Sequence, residues 1–209
     1  MRLRESTLQV KLISHTPMPE VVVATAMRQS RFKGGVSELS LDRKEIVRLI
    51  NLALNLGHFS VFEHISFTFA IEGISRACSH QLVRHRFFSF TQQSQRYVKE
   101  FDFPYIVPET IKNNKEAYKE FNRVIWEIGR VYKELVKVVP FEDARFVLPN
   151  ATETKIVATA NARELMHFFK LRLDEAAQWE IRNLAKKMFE LVNEVAPVIF
   201  SEDSLEKFQ

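Results

Sequence analysis

The sequence predicts an α+β fold: a mixed or antiparallel sheet packed with helices, in a single domain over residues 1–209. Three observations carry that expectation. Two segments, Thr7–Ile13 and Ile65–Ile71, alternate apolar and polar residues with the period of a half-buried strand. Much of the remainder repeats apolar residues at helical spacing, most extensively over Asn114–Val138. The elements do not alternate strictly as strand, helix, strand, which argues against a parallel doubly wound sheet.

Taken in order, Leu8, Val10 and Leu12 form the apolar face of the first strand. Pro19 suits a first helical turn and opens a helix to about Arg31. Asp42 with Glu45 three residues on reads as a capping-box start. Ile46, Leu49, Ile50, Ala53 and Leu56 then recur on one face until Gly57 stops the helix. After the strand of Ile65, Phe67, Phe69 and Ile71, a helix is expected from about Ile74 to Arg84. Residues 87–98, rich in aromatics, Ser and Gln, have no helical period and read as a loop with short extended pieces. Pro104, Val107 and Pro108 mark a connection to the long helix, which ends at Pro140. A helical turn at Phe141–Arg145, a strand at about Thr154–Ala160, and helices at about Asn161–Lys170 and Asp174–Val195 complete the chain, with Pro197 as the stop.

Hydrophobic residues make up 46% of the sequence and charged ones 27%, the balance of an ordinary globular protein. No apolar run approaches the roughly 20 residues of a membrane helix, and no secretory signal is recognisable, so a cytoplasmic protein without membrane contact is expected. Cys78 is the only cysteine, which precludes an internal disulfide framework. Asn150, Ala151 and Thr152 match a glycosylation triplet, taken as accidental in that context. A net charge of +4 and a pI of 9.2 point to polyanionic company, either nucleic acid or phosphorylated small molecules.

The densest polar cluster separates those two. Gln81, Arg84 and His85 stand at i, i+3 and i+4, one face at a helix end. Ser89, Thr91, Ser94, Gln92, Gln93, Gln95 and Arg96 follow, interleaved with Phe87, Phe88, Phe90 and Tyr97. Guanidinium groups can grip phosphate oxygens bidentately while aromatics stack planar rings. The local chemistry favours an anionic-ligand pocket over its alternative, a solvated cationic patch served by the helix dipole.

A resemblance bears on this choice. Arg84, His85, Arg86, seven residues, Ser94, one residue and Arg96 resemble the signature of the flavin-dependent thymidylate synthases. His58 and Glu63 ahead of it, Arg145 to Thr154 in the centre, and Asn161, Ala162, Arg163, His167, Leu171 and Arg172 behind it look like the family's other blocks, in order and spacing. The resemblance implies reductive methylation of dUMP to dTMP. Methylenetetrahydrofolate would be the carbon donor, NADPH the reductant and FAD the cofactor, with no cysteine nucleophile and no metal. It also implies a homotetramer whose sites form between subunits. The chain has only five Gly and no Gly-rich phosphate loop, which is consistent with a flavin shared between subunits.

By the same resemblance, Arg84, His85 and Arg86 hold FAD, chiefly by its phosphates. His58, Asn161 and His167 line the flavin, with Ser60, Glu63, Arg163 and Gln92 as further contacts. Gln81, Ser94 and Arg96 take the dUMP phosphate and sugar, with Arg84, Gln92, Gln93 and Gln95 alongside. Arg145 and Arg172 address the nucleotide, Arg172 nearest the uracil, where a permanent positive charge can polarise a carbonyl without moving a proton. Ala176 stands where many relatives carry a flavin-contacting His.

Each residue also has a purely structural role available. His58 can cap a helix end, Asn161 can be an N-cap, Arg145 and Arg172 can pair with Asp143 and Asp174, and Cys78 can be a small buried hydrophobe. His80 and the pair Lys186 and Lys187 read as solvated surface. A nucleic-acid-binding domain and a catalytically dead nucleotide binder remain the competing functional classes; the first predicts steeply salt-dependent oligonucleotide affinity.

Overall fold

Strand β1 (Gln9–His15) leads to α1 (Pro19–Gln29) and α2 (Arg43–Asn55), then to a 3-10 segment at Phe59–His64. Strand β2 (Ser66–Ser75) runs without a linker into α3 (Arg76–Leu82), and β3 (Ser89–Gln92) follows. Next come α4 (Glu109–Lys112), the long α5 (Lys115–Leu135), α6 (Phe141–Ala144) and a 3-10 turn at Arg145–Val147. Strand β4 (Glu153–Asn161) passes directly into α7 (Ala162–Arg172), and α8 (Trp179–Val195) and α9 (Glu202–Lys207) end the chain. The computed structural model describes residues 4–30, 32–35 and 40–208. The expected helix end at Arg31 therefore lies outside the described residues.

The fold is α+β, with a four-stranded antiparallel sheet in the order β1-β2-β4-β3. Contacts divide the chain into two compact units: residues 1–9, 71–84 and 91–156, and residues 10–70, 85–90 and 157–209. Each strand has residues in both.

In the first unit, Phe103, Tyr105, Val107 and Ile125 form a buried cluster. Asn114, expected as the first residue of the long helix, is its cap, accepting from the backbone N–H groups of Glu116 and Ala117. Phe121 and Ile128 pack against the cluster, whereas Val124 of the same helix is 40% exposed. Gly73 is held at φ +72°, and a Cβ there would stand 2.0 Å from the carbonyl oxygen of Thr7. Only glycine allows the two backbones to approach this closely.

In the second unit, Asp42 caps α2 by accepting from Glu45 N–H at 2.8 Å, and Gly57 at φ +68° takes the chain away from its end. Ile181, Leu184, Ala185, Met188 and Val192 of α8 are buried at helical spacing. Phe67, Phe169 and Phe200 meet edge to face, with centroids 5.4 Å apart for Phe67 and Phe200 and 5.9 Å for Phe169 and Phe200. Cys78, in the first unit, is fully buried. Among the described residues no helix is long and apolar enough to cross a membrane.

Two of the expected helix boundaries move for a visible reason. The helix expected from Asp174 begins at Trp179, because the Gln178 side chain caps it by accepting from Glu180 and Ile181 while Leu173–Ala177 form turns. The helix expected to Arg84 closes at Leu82, where Val83 N–H bonds the Ser79 carbonyl. Gln81, Arg84 and His85 are therefore not one helical face: the latter two lie beyond the helix, Arg84 exposed and His85 buried.

Candidate functional site

The first unit holds most of the residues expected to meet a nucleotide. Ser75 caps α3 by accepting from Cys78 N–H at 3.0 Å, which fixes the helix directly onto the end of β2. The Gln92 amide donates to Ser79 Oγ at 3.1 Å and Thr154 Oγ1 at 3.0 Å, so its orientation is set from both sides. Ser94 Oγ accepts from Arg96 N–H at 3.2 Å, closing a tight turn. The Arg96 side chain is exposed and pairs with Glu142 at 3.0 Å; Gln81 and Gln93 are half-buried.

Arg145 donates to the Glu142 carbonyl at 3.1 Å, and not to Asp143 as its alternative structural role supposed. It lines a concavity of about 250 Å³ with Arg76, His80, Gln95 and the turn Leu148–Asn150. Burial works against the Arg76 charge, Glu100 supports it, and Arg145 opposes it. Two guanidinium groups with no carboxylate among the lining residues make a place for an anion. Glu100 itself is driven upward in pKa, first by burial, with Arg76 opposing and Glu153 adding. His80, read from the sequence as surface, is exposed but belongs to this concavity. Arg76 was not singled out in the sequence; the signal available was its i, i+4 spacing to His80 on α3.

The second unit holds the residues expected at the flavin. His58 N–H bonds the Ala53 carbonyl at 2.9 Å, joining the end of α2 to the 3-10 segment. Its backbone thus does serve the helix end, leaving the ring half-buried. Ser60 is exposed, and Glu63 on that segment pairs with Arg163 of α7. Asn161 caps α7 by accepting from Glu164 N–H at 2.9 Å, and its amide nitrogen is left to donate elsewhere. His167 and Arg86 are exposed.

His85, in the same unit, has 5% of its surface exposed and lies edge-on to Phe168 at 4.9 Å and 6.2 Å from the His167 ring. Arg172 Nε donates to His85 Nε2 at 3.0 Å. The alternative pairing of Arg172 with Asp174 is not what forms, since Asp174 accepts from Ala176 N–H at 2.8 Å.

The sequence matches the family model described as thymidylate synthase complementing protein over residues 11–198. The chain belongs to that family. Every motif residue discussed above, from His58 to Arg172, falls within the part matched to the thymidylate synthase complementing proteins. A protein of Geobacter sulfurreducens named flavin-dependent thymidylate synthase is 50% identical over 200 residues, 93% of this chain and 86% of its own. One of the same name from Pyrococcus furiosus is 43% identical over 203 residues, 92% and 83% of the two chains. Among solved structures, a UMP/dUMP methylase, PolB of Streptomyces cacaoi bound with 5-Br dUMP, matches with a TM-score of 0.86 at 26% identity. It covers 100% of this chain and 97% of its own.

Proposed function

We propose that the chain is a flavin-dependent thymidylate synthase, methylating dUMP to dTMP with FAD as cofactor, methylenetetrahydrofolate as carbon donor and NADPH as reductant. The observation that carries this reading is the setting of Arg172. Its Nε is held by a buried His, while among the described residues no hydrogen bond takes its terminal amino groups. A guanidinium fixed at one nitrogen and open at two others is preorganised to polarise a uracil carbonyl and to stabilise charge developing on the ring.

The dUMP phosphate and sugar fall to the first unit's polar set, Gln81, Gln92, Gln93, Ser94, Gln95, Arg96 and Arg145, with Arg84 at its end. The flavin falls to a second set: His58, Asn161 and His167 offer ring and amide donors, Ser60 and the Glu63–Arg163 pair accompany them, and the exposed Arg84 and Arg86 are suited to its phosphates. Bound flavin supplies the hydride that completes the methyl group. Buried Cys78 takes no part. Assembly as a homotetramer with sites shared between chains is supported by Phe87, Tyr97 and Phe146, which a single chain leaves 80% or more exposed.

The test is the visible absorption of the purified protein with FAD, titrated with dUMP, followed by assay of dTMP formation. Flavin bands perturbed by dUMP, with turnover that needs both, are expected. Arg172→Ala should keep the flavin bands and lose roughly 100- to 1000-fold in kcat; undiminished turnover in that variant, or no flavin bound by the parent, would overturn the reading.

A further inference from the structure

We infer that Glu164 is a positioning residue for Arg172, acting through the tautomer of His85. The inference rests on the role proposed above for Arg172, but its geometric part stands apart from it.

An arginine Nε carries a hydrogen and can only donate. His85 Nε2, 3.0 Å from Arg172 Nε, must therefore offer its lone pair. A neutral imidazole with a bare Nε2 carries its proton on Nδ1. That nitrogen faces Glu164, whose Oε1 lies 3.6 Å away, within ion-pair range though beyond a hydrogen bond. The carboxylate favours a proton on the nitrogen turned towards it and opposes a lone pair there. Two independent neighbours thus select the same tautomer.

Glu164 is otherwise hard to account for. It is 8% exposed and sits in the first turn of α7, where Asn161 already serves its backbone N–H. A carboxylate that only complemented the helix dipole could do so in solvent, whereas a buried one needs a partner. Its side-chain partner is His85. Glu164 and Arg172 are eight residues apart on one helix, roughly 12 Å of rise, and the imidazole is the link between them. With the ring turned Arg172 would face a ring carbon, and with the proton on Nε2 a donor; either way it loses the bond that sets its Nε.

The residue acts through another group, so the experiment reads the tautomer as well as turnover. The FAD-loaded protein, labelled with 15N-histidine, is examined by side-chain nitrogen NMR, with His85→Phe identifying the resonances. The parent is expected to show His85 with the proton on Nδ1. Glu164→Ala is expected to give a mixture of tautomers and a kcat lowered roughly 10- to 100-fold, the loss typical of removing an outer partner of a site residue, with KM for dUMP little changed. Glu164→Gln, whose amide oxygen keeps a negative dipole end facing Nδ1–H, is expected to recover most of the lost kcat. A parent His85 protonated on Nε2 would overturn the inference whatever the variants do. So would a Glu164→Ala enzyme with unchanged tautomer and kcat, or a Glu164→Gln enzyme no better than Glu164→Ala. If the parent forms no dTMP, the functional reading falls, while the tautomers of parent and variant still decide the Glu164–His85 contact.

Discussion

Replacing Gly73 with Ala is the sharpest test of the packing described, and Gly57 provides its internal control. Both glycines hold a positive φ, +72° and +68°. An added Cβ costs ~1–2 kcal/mol in that conformation. Part of this, ~0.4–1 kcal/mol, returns because alanine restricts the unfolded chain. For Gly57 that is nearly all, since its Cβ would meet only Phe59 Cε2 at an ordinary 3.7 Å. The net cost is then about 1 kcal/mol. At Gly73 the Cβ would fall 2.0 Å from Thr7 O, 2.4 Å from Thr7 C and 2.9 Å from Leu8 N. These are backbone atoms, which cannot swing aside as a side chain can, so a further ~1–3 kcal/mol of overpacking is added. Gly73→Ala should therefore cost about 3 kcal/mol in all. Urea denaturation of parent and both variants, followed by far-UV circular dichroism, measures the difference. A Gly73→Ala protein within about 0.5 kcal/mol of Gly57→Ala would show that the Thr7 approach is not the constraint claimed here.

Arg96→Ala should raise the Kd for dUMP roughly 10- to 100-fold, the worth of a charge-assisted bond, with flavin retention unaffected; calorimetric titration checks it. Cys78→Ala should keep its turnover and lose about 1 kcal/mol of stability as a small cavity opens, so a folded but inactive variant would contradict the role given to Cys78. Glu100 has a folded pKa raised above the ordinary 4.5, mainly by burial. Its contribution to stability is thus fully present below pH 4.5 and is lost as pH rises through the folded value. Glu100→Gln should remove that component, so the parent-minus-variant difference in Tm should become more negative as pH rises from 4.5; a difference flat in pH would refute it.

The elements that the sequence disclosed best were those whose signal is local. Asp42 and Asn161 are the caps their positions suggest, because a cap is a contact within three residues. Strand β2 extends to Ser75, beyond the expected Ile71, and Gly73 within it lets Thr7 approach closely. Strand β1 runs from Gln9 to His15, two residues later than its alternation implied, leaving Thr7 free for that approach. Among candidate site residues, the arginines and glutamines of the 81–96 segment were visible by composition. Arg76 and Glu164 were not. Arg76 gains its setting from Arg145, and Glu164 from His85 across 79 positions of chain, pairings that no short-range pattern encodes.

Strands β2 and β4 each turn into a helix within a single peptide step, at Ser75–Arg76 and at Asn161–Ala162. Such joints tolerate substitution far better than insertion. One extra residue would swing every later helical side chain by about 100° about the axis, taking Arg76 and His80 on α3, or Glu164 and Arg172 on α7, off their partners together. Length variation among descendants of this chain should therefore gather in exposed connections such as that around 136–140. An engineer adding residues to this chain would do better to place them there than at either joint.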